Sequence, residues 1–312
     1  MGNGLIADGG AASSGGLAGS CQPARARGWR AFAATLSMIK FQHTLFALPF
    51  AFAGAILAAG GVPTGRQIGW ILGAMVGARS AAMIFNRIVD LDFDRQNPRT
   101  AFRPLVTGEL GLGFAWTALG ASAALFVLSA AMLNRLALLL AAPALLLILS
   151  YSYAKRVSWL THVHLGASLG LAPLGAWVAV RGTVDAAPLL LAAAVTFWVA
   201  GFDVIYACQD AEFDRLHRLH SIPCRFGVAG ALRLSSAFHL LTVLFLLLAP
   251  SGLSLGWPYF AAVAGTAALL AWEHRLVRPD DLSRVNQAFF TVNGFVGFLI
   301  LAGIALDLAL RS

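Results

Sequence analysis

Long apolar runs separated by short polar connections cover the chain from about residue 31 to residue 309. Each run is close to the roughly 20 residues that an α-helix needs to cross the hydrocarbon core of a bilayer. Because lipid offers no partner for free backbone N–H and C=O groups, such runs must cross as helices. The pattern therefore predicts an all-α, polytopic membrane protein with nine transmembrane helices, which cover residues 31–60, 67–90, 112–132, 136–153, 163–181, 186–206, 232–250, 256–273 and 287–309.

Composition supports this class and divides the chain into two parts. Of the 312 residues, 59% are hydrophobic and 12% are charged, against roughly 25% charged residues in an ordinary soluble domain, which excludes a water-soluble fold. Residues 1–27 are rich in Gly, Ala and Ser and are predicted to form a disordered tail, whereas residues 28–312 are predicted to form the nine-helix transmembrane domain. The three cysteines are scattered along the chain and offer no disulfide framework.

The net charge of +8 is explained by membrane topology rather than by a nucleic-acid partner, which we do not expect. When the N-terminal tail is placed in the cytoplasm, most Lys and Arg residues fall in connections on that side of the lipid bilayer. The opposite side holds Arg66, Arg135, Arg181 and Arg311. This asymmetry follows the positive-inside rule and predicts an integral protein of the cytoplasmic (inner) membrane with a cytoplasmic N-terminus.

The acidic residues are concentrated in two short windows. Carboxylates at a membrane boundary are costly unless they are paired or bind a metal, so this concentration needs a cause. By contrast, the last solvated loop is expected to hold Glu273, His274, Asp280 and Asp281. The windows hold half of the 14 Asp and Glu residues, namely Asp90, Asp92 and Asp94 in the first and Asp203, Asp210, Glu212 and Asp214 in the second.

The two windows also repeat each other. The segment Asp90-Leu-Asp-Phe-Asp-Arg95 aligns with Asp210-Ala-Glu-Phe-Asp-Arg215, and each segment closes an apolar run and opens a basic loop. This likeness predicts an internal duplication of an Asp-rich helix. Because helix residues four apart share a face, each window is expected to form a polar stripe; the first consists of Asn86, Asp90 and Asp94, and the second of Asp203, Tyr206, Asp210 and Asp214.

Paired carboxylates on one face suit a magnesium site. Mg²⁺ prefers hard oxygen ligands and usually takes one or two carboxylates together with substrate phosphates and waters. If both stripes face one cavity, four carboxylates can hold Mg²⁺ ions that bridge a diphosphate at the cytoplasmic mouth. The basic loops then supply cations for the outer phosphate oxygens; these loops carry Arg95, Arg99, Arg103, Arg215, Arg218 and Arg225.

A second function class, a membrane transporter or cation pathway, also accounts for carboxylates inside a membrane. Secondary transporters bind their ions near the bilayer midplane, commonly between inverted repeats. In this chain the acids lie at one mouth, and an even number of predicted spans separates the two copies, which makes the repeats parallel. The sequence therefore favours an enzyme over a transporter.

Four motifs resemble those of the UbiA-type intramembrane aromatic prenyltransferases. Residues 86–94 match the pattern NxxxDxxxD, and residues 203–214 match DxxYxxxDxxxD. Residues 103–108 are RPLVTG, and residues 151–156 match YxxxKR. The run of residues 77–86 is most similar to the 4-hydroxybenzoate polyprenyltransferase branch of that family, which includes relatives in menaquinone pathways.

The resemblance implies a helix bundle around a central cavity that opens sideways to lipid. It also implies Mg²⁺-dependent transfer of a polyprenyl group from a polyprenyl diphosphate to an aromatic acid acceptor, 4-hydroxybenzoate or a similar ring, in ubiquinone or menaquinone biosynthesis. Lys155 is the implied diphosphate contact outside the acidic windows. The implied metal ligands are Asn86, Asp90, Asp94, Asp210 and Asp214.

The chemistry of such a transfer assigns roles to four further side chains. Departure of the diphosphate leaves an allylic cation, which Tyr206 is expected to shield with its ring. Loss of the ring proton from the acceptor needs a base, and we expect either Asp203 or the released diphosphate to accept it. For the acceptor carboxylate, Arg156 and Arg79 are the two candidates. Arg79 lies inside a predicted span, where an arginine needs an anionic partner.

Overall fold

The structure is a computed structural model that describes residues 44–311, so the predicted tail of residues 1–27 lies outside the described residues. Within the described range, nine helices have 16 residues or more, and three short helices lie between them. In chain order the helices are α1 Thr44–Ala59, α2 Gly65–Val89, α3 Leu91–Gln96, α4 Leu112–Leu133, α5 Arg135–Val157, α6 Thr161–Arg181, α7 Ala186–Ala207, α8 Ala211–Leu216, α9 Ile222–Leu248, α10 Trp257–Leu276, α11 Val285–Gln287 and α12 Asn293–Ala309.

Seven helical segments of the described chain are long and apolar enough to cross a membrane. They consist of α2, α4, α5, α6, α7 with α8, α9, and α11 with α12. Helix α1 is apolar but shorter, and α10 is outside this set. The predicted all-α integral membrane protein is therefore confirmed, whereas the count of nine membrane spans stays a prediction.

Two groups of helices carry the two acidic windows, and α6 joins the groups. In the first group, α2 packs against α4 and α5. In the second group, α7 packs against α9, and α10 packs against α12. Helix α6 contacts α5 on one side and α7 on the other, while α1 packs against both α6 and α12. The largest apolar cluster lies between α1 and the second group, and it includes the fully buried rings of Phe50, Trp198 and Tyr259.

Both acidic windows have the same local structure. Helix α2 ends at Val89, Asp90 has φ −91° and ψ 9°, and α3 follows. Helix α7 continues into a 3₁₀ turn over Cys208–Asp210, Asp210 has φ −100° and ψ 2°, and α8 follows. The order of exposed and buried positions along α3 is repeated along α8. This likeness is what the predicted duplication implies, although the duplication itself stays a prediction.

The polar stripes do not lie on continuous helices, and this part of the sequence prediction is wrong. The helical backbone breaks at Asp90 and tightens into a 3₁₀ turn before α8. In the first window, residues four apart stay linked by backbone hydrogen bonds across the break. There the Asp90 N–H donates to the Asn86 carbonyl at 2.9 Å, and the Asp94 N–H donates to the Asp90 carbonyl at 2.8 Å.

Helix α9 begins at Ile222, well before the predicted start at residue 232. Ser221 caps its first turn by accepting a hydrogen bond from the Cys224 N–H. Inside the helix, Gly227 has φ 68°, a left-handed conformation that costs glycine little because it has no Cβ. The kink at this glycine lets a polar, basic segment remain helical, so Arg225 lies in a helix rather than in the predicted loop.

Glu273 lies in α10 and is fully buried, which contradicts its predicted place in a solvated loop. Its carboxylate accepts a hydrogen bond from the Asn293 amide at 2.9 Å, and the Asn293 oxygen accepts one from the Trp198 indole at 2.7 Å. The ring nitrogens of His239 and His274 lie 2.9 Å apart near this chain of contacts. The partners come from distant helices, so hydropathy along the chain gave no sign of them.

Close packing between α6 and α7 gives a test of the fold. A Cβ added at Gly166 would collide with the carbonyl oxygen of Thr196, whereas the space around Gly120 in α4 is open. We expect Gly166→Ala to lower the free energy of unfolding by about 1–3 kcal/mol through overpacking. Thermal unfolding of the purified protein in detergent measures this change. Gly120→Ala is the matched control and should keep or raise the melting temperature, and equal melting temperatures for both variants would contradict the packing.

Candidate active site

A polar cavity of about 220 Å³ brings the two acidic windows together. The predicted convergence of both DxxxD pairs on one cavity is therefore seen in the structure. Side chains from α2, α3, α5, α8 and the loop after α3 surround the space. The lining consists of Asn86, Arg87, Asp90, Phe93, Asp94, Asn97, Thr100, Arg103, Tyr151, Ser152, Lys155, Arg156, Asp210, Phe213, Asp214 and Leu219.

The second carboxylate of each window is buried and contacts a cation from another part of the chain. Asp94 is 7% exposed, and Arg103 from the loop after α3 donates to it at 2.5 Å. Asp214 is 2% exposed, and the ammonium of Lys155 on α5 lies 3.0 Å from its Oδ2. A carboxylate removed from water needs such compensation. Both buried carboxylates therefore line the cavity with a cation beside them.

Arg99 links the first basic loop to the second acidic window. Its guanidinium is hydrogen-bonded to the Asp210 carboxylate and donates to the Tyr206 hydroxyl at 3.0 Å. Partial burial acts to lower the pKa of Arg99, but the charge of Asp210 and the contact with Tyr206 outweigh it and raise that pKa. Tyr206 thus orients an arginine, while its ring packs against Phe289 at a centroid distance of 4.5 Å. Tyr206 lies outside the lining residues described for this cavity.

Arg156 compensates the remaining carboxylate, that of Asp90. One nitrogen of its guanidinium donates to the Val89 carbonyl at 2.7 Å and to Asp90 Oδ1 at 3.2 Å, and the Asn86 amide donates to Asp90 Oδ2 at 2.8 Å. The guanidinium also lies over the Phe93 ring at 5.1 Å. Burial raises the pKa of the Asp90 carboxyl, and the hydrogen bond from Arg156 opposes this shift. The Arg156 side chain therefore links the end of α5 to the end of α2.

A second, apolar cavity of about 440 Å³ adjoins the polar one. The two spaces share Asn86 and Tyr151 in their linings. Arg79 on α2 is the charged residue in the lining of the apolar cavity, as described for residues 44–311. Its Nε atom is buried and has no hydrogen-bond partner among the described residues. An arginine in this position is suited to an anionic group that enters the apolar space.

The structure places Asp203 outside the described lining of the acidic cavity. Its Oδ2 lies 2.7 Å from Nδ1 of His162, a fully buried residue near the start of α6. Asp203 lies outside both described cavity linings, so it does not share a surface with Asp210 and Asp214 as the predicted stripe required. The 3₁₀ turn between α7 and α8 changes the direction of the side chains. Sequence reasoning missed His162 because its partner is 41 residues away along the chain.

Five of the predicted diphosphate cations lie outside the described lining of the polar cavity, and Arg99 is one of them. Arg95 pairs with the exposed Asp92 at 3.1 Å, and Arg225 stacks on the Trp159 ring at 4.8 Å. Arg215 and Arg218 are exposed. The structure brings Arg103 and Lys155 into the cavity and places Arg99 against Asp210 at its edge.

A model of the UbiA prenyltransferase family matches residues 47–299. The chain belongs to this family. The predicted resemblance is confirmed, and so is the prediction of a prenyltransferase enzyme at the level of the family. The NxxxDxxxD pattern, the DxxYxxxDxxxD pattern and the loop between them all lie inside the matched range.

Curated relatives are similar to this chain over most of its length. A 4-hydroxybenzoate octaprenyltransferase from Cupriavidus necator is 31% identical over 263 residues, which cover 82% of this chain and 89% of that protein. The mitochondrial 4-hydroxybenzoate polyprenyltransferase from Caenorhabditis elegans is 32% identical over 239 residues, which cover 75% of this chain and 65% of that protein.

Solved UbiA structures share the fold. The apo structure of a UbiA homolog from Aeropyrum pernix K1 has a TM-score of 0.77 and 40% sequence identity, and the match covers 86% of this chain and 98% of that chain. A UbiA homolog from Archaeoglobus fulgidus bound to GPP and Mg²⁺ has a TM-score of 0.72 and 21% identity, with coverage of 88% and 99%. At 21% identity, the second comparison shows that the fold is shared.

The donor set of the polar cavity fits a divalent ion that binds together with substrate oxygens. Among residues 44–311, no group of three or more His, Cys, Asp or Glu side chains is arranged to hold a metal by itself. Each of the four DxxxD carboxylates contacts a cation. Because Mg²⁺ usually takes one or two carboxylates with phosphates and waters, each window can supply its share of a site when a diphosphate supplies the rest.

The buried pair between Lys155 and Asp214 gives a test of this geometry. Asp214→Asn leaves the ammonium without its countercharge. The variant should lose about 1–3 kcal/mol of stability, less than for a fully buried pair because Lys155 is 33% exposed. The melting temperature in detergent measures the loss. Asp92→Asn is the matched control, since its pair with Arg95 is exposed and should contribute nothing measurable; an unchanged Asp214→Asn protein would contradict the buried pair.

Proposed function

We propose that the protein transfers a polyprenyl group from a polyprenyl diphosphate to an aromatic acid such as 4-hydroxybenzoate, with Mg²⁺, in ubiquinone or menaquinone biosynthesis. One observation carries the proposal: both DxxxD pairs line one polar cavity, and that cavity adjoins an apolar one. A polyprenyl diphosphate combines a highly charged head with a long apolar chain. The printed names of the relatives support the choice of acceptor.

The carboxylates of both windows would hold the divalent ions, with the Asn86 amide oxygen as a further hard ligand. The ligand set in this proposal is Asn86, Asp90, Asp94, Asp210 and Asp214. When bound there, Mg²⁺ stabilises the negative charge that develops on the departing diphosphate. The UbiA homolog bound to GPP and Mg²⁺ supports this choice of ion.

Three cations are placed to bind the diphosphate oxygens. Arg103 and Lys155 line the polar cavity, and Arg99 reaches its edge from the same loop as Arg103. In the structure these cations contact the carboxylates of the windows. Fixed positive groups at the leaving group act as electrostatic catalysts without needing to reorganise during the reaction. Their side chains would therefore favour cleavage of the C1–O bond.

The acceptor acid would enter the apolar cavity with its carboxylate on Arg79. Arg156, the other candidate, lines the polar cavity rather than the apolar one, and it is bound to Asp90 and to the Val89 carbonyl. Arg79 lies in the apolar lining, and its buried Nε has no partner among the described residues. The shared residue Tyr151 would then lie between the acceptor ring and the diphosphate. Such placement brings a ring carbon toward C1 of the prenyl group.

The reaction proceeds in three balanced steps in this proposal. The C1–O bond breaks, and its electron pair leaves with the diphosphate. The allylic cation is then attacked by the ring carbon ortho to the acceptor hydroxyl, which forms the new C–C bond. Finally the ring proton passes to a base, Asp203 or the released diphosphate, and aromaticity is restored. Apolar walls around C1 keep water from trapping the cation.

We further propose nine membrane spans, with the polar cavity at the cytoplasmic mouth of an inner-membrane protein. The distribution of Lys and Arg supports this orientation. Helix α1 packs against α6 and α12, and α10 packs against α12. Both helices would therefore have to cross the membrane beside these neighbours. The alternative function, a transporter or cation pathway, is disfavoured because the acids lie at one mouth and the chain belongs to a prenyltransferase family.

The metal-ligand proposal predicts the effect of neutralising each window. Asp90→Asn and Asp210→Asn should each lower prenyl transfer at least about 100-fold, because a stabiliser of the departing charge is lost. Labelled prenyl diphosphates and a panel of aromatic acids, with Mg²⁺ or with a chelator, measure this transfer in membranes. Asp92→Asn is the control and should keep full activity, because Asp92 is exposed. Retained activity in both window variants would reject the metal role, and ion flux in proteoliposomes without any diphosphate would favour a transporter.

The acceptor proposal predicts a selective defect in Arg79→Met. The KM for the aromatic acid should rise about 10- to 100-fold, since losing one member of a buried charge pair in a complex costs about 2 kcal/mol or more. The KM for the prenyl diphosphate should stay unchanged. Steady-state kinetics with each substrate varied in turn measure both constants, with the exposed Arg135→Met as a control for loss of one positive charge. An unchanged acceptor KM would place the carboxylate elsewhere.

A further inference from the structure

A buried histidine joins three helices next to the candidate base. His162 on α6 is fully buried, and Asp203 on α7 has a side chain that is 19% exposed. His162 Nδ1 lies 2.7 Å from Asp203 Oδ2, and the Ile222 N–H at the start of α9 donates to His162 Nε2 at 3.4 Å. Each ring nitrogen of this histidine therefore has a defined partner.

These two contacts assign one protonation state to the ring. A backbone N–H can donate but cannot accept, so the Nε2 atom facing Ile222 must carry a lone pair. The hydrogen of the neutral imidazole then lies on Nδ1 and is donated to Asp203. An imidazolium would direct its Nε2–H against the backbone N–H of Ile222. The geometry consequently selects a neutral His162 that donates from Nδ1 to Asp203 Oδ2.

Asp203 lies outside both described cavity linings, but it is near enough to act electrostatically on residues that line the polar cavity. Its charge interacts electrostatically with Tyr151 and with Lys155, and both of these residues line the polar cavity. Its second oxygen, Oδ1, makes no hydrogen bond to any residue in the part of the chain that the structure describes. Asp203 thus has one oxygen held by a neutral donor and one oxygen free to accept a proton.

We propose that His162 is a positioning residue that holds Asp203 in one rotamer as the ionised base for the acceptor ring proton. This inference rests on the proposed prenyl transfer. The proton leaves the ring carbon that has formed the new C–C bond and is accepted at Asp203 Oδ1, which makes the pair neutral. A neutral donor is suited to this task, because an imidazolium partner would lower the basicity of the carboxylate.

Two variants of nearly equal shape separate this role from simple packing. Leucine and asparagine at residue 162 both lose the contact with the Ile222 N–H, but the asparagine amide can occupy the place of Nδ1 and donate to Asp203. We expect His162→Leu to lower kcat about 10- to 100-fold, the usual effect of removing an orienting partner, with KM for the prenyl diphosphate unchanged. His162→Asn should stay within about threefold of the unaltered protein, by the same principle. Equal losses in both variants would show a packing role and overturn the inference.

A double-mutant comparison tests whether the histidine acts through Asp203. His162→Leu combined with Asp203→Asn should be no slower than Asp203→Asn alone, because residues that act as a unit are not additive. Fully additive losses would overturn the inference. Full activity of Asp203→Asn would also overturn it while leaving the proposed prenyl transfer intact. If the unaltered protein transferred no prenyl group to any aromatic acid, the proposed function would fail instead.

A spectroscopic measurement tests the assigned tautomer without any turnover. In the full chain labelled with ¹⁵N-histidine, the signals of His162 are those lost in His162→Asn. They should show a protonated Nδ1 and an unprotonated Nε2. The opposite tautomer, or a doubly protonated ring at neutral pH, would overturn the inference whatever the activity of the protein.

Discussion

Carboxylates that leave water must be compensated, and removing one partner of a buried pair costs far more than an exposed pair contributes. In this protein each DxxxD carboxylate meets a cation supplied by another element. Arg103 and Arg99 come from the loop after α3, and Lys155 and Arg156 come from the end of α5. The acidic windows can therefore exist at a membrane boundary only in a fold that brings α2, α5, α7 and that loop to one place.

Helix α6 and the breaks in two helices bring the acidic windows and their cations together. Helix α6 contacts both α5 and α7, and small residues such as Gly166 let it approach α7 closely. The breaks at Asp90 and at the 3₁₀ turn before α8 end the two long helices beside the cavity. Each break is followed by a short helix whose inward carboxylate is buried, so two separate bundles present the same chemistry to one space.

The boundary between the polar and apolar cavities matches the boundary within a polyprenyl diphosphate. Asn86 and Tyr151 belong to both linings, so the place where charge ends and apolar surface begins is fixed to a single layer of side chains. Arg79 is a charged side chain on the apolar side of this layer. Its burial is costly unless an anion compensates it, which is why the proposed acceptor carboxylate lies there.

The sequence by itself determined the helix class, most helix boundaries and the identity of the acidic pairs. These features are local, since apolar runs long enough to cross lipid must be helical and a repeated DxxxD spacing can be seen without any partner. Tertiary structure alone decided which cations meet which carboxylates. It placed Arg225 on Trp159, turned Asp203 toward His162 and buried Glu273 against Asn293. Such contacts join residues far apart in the chain, and hydropathy carries no information about which distant side chains will meet.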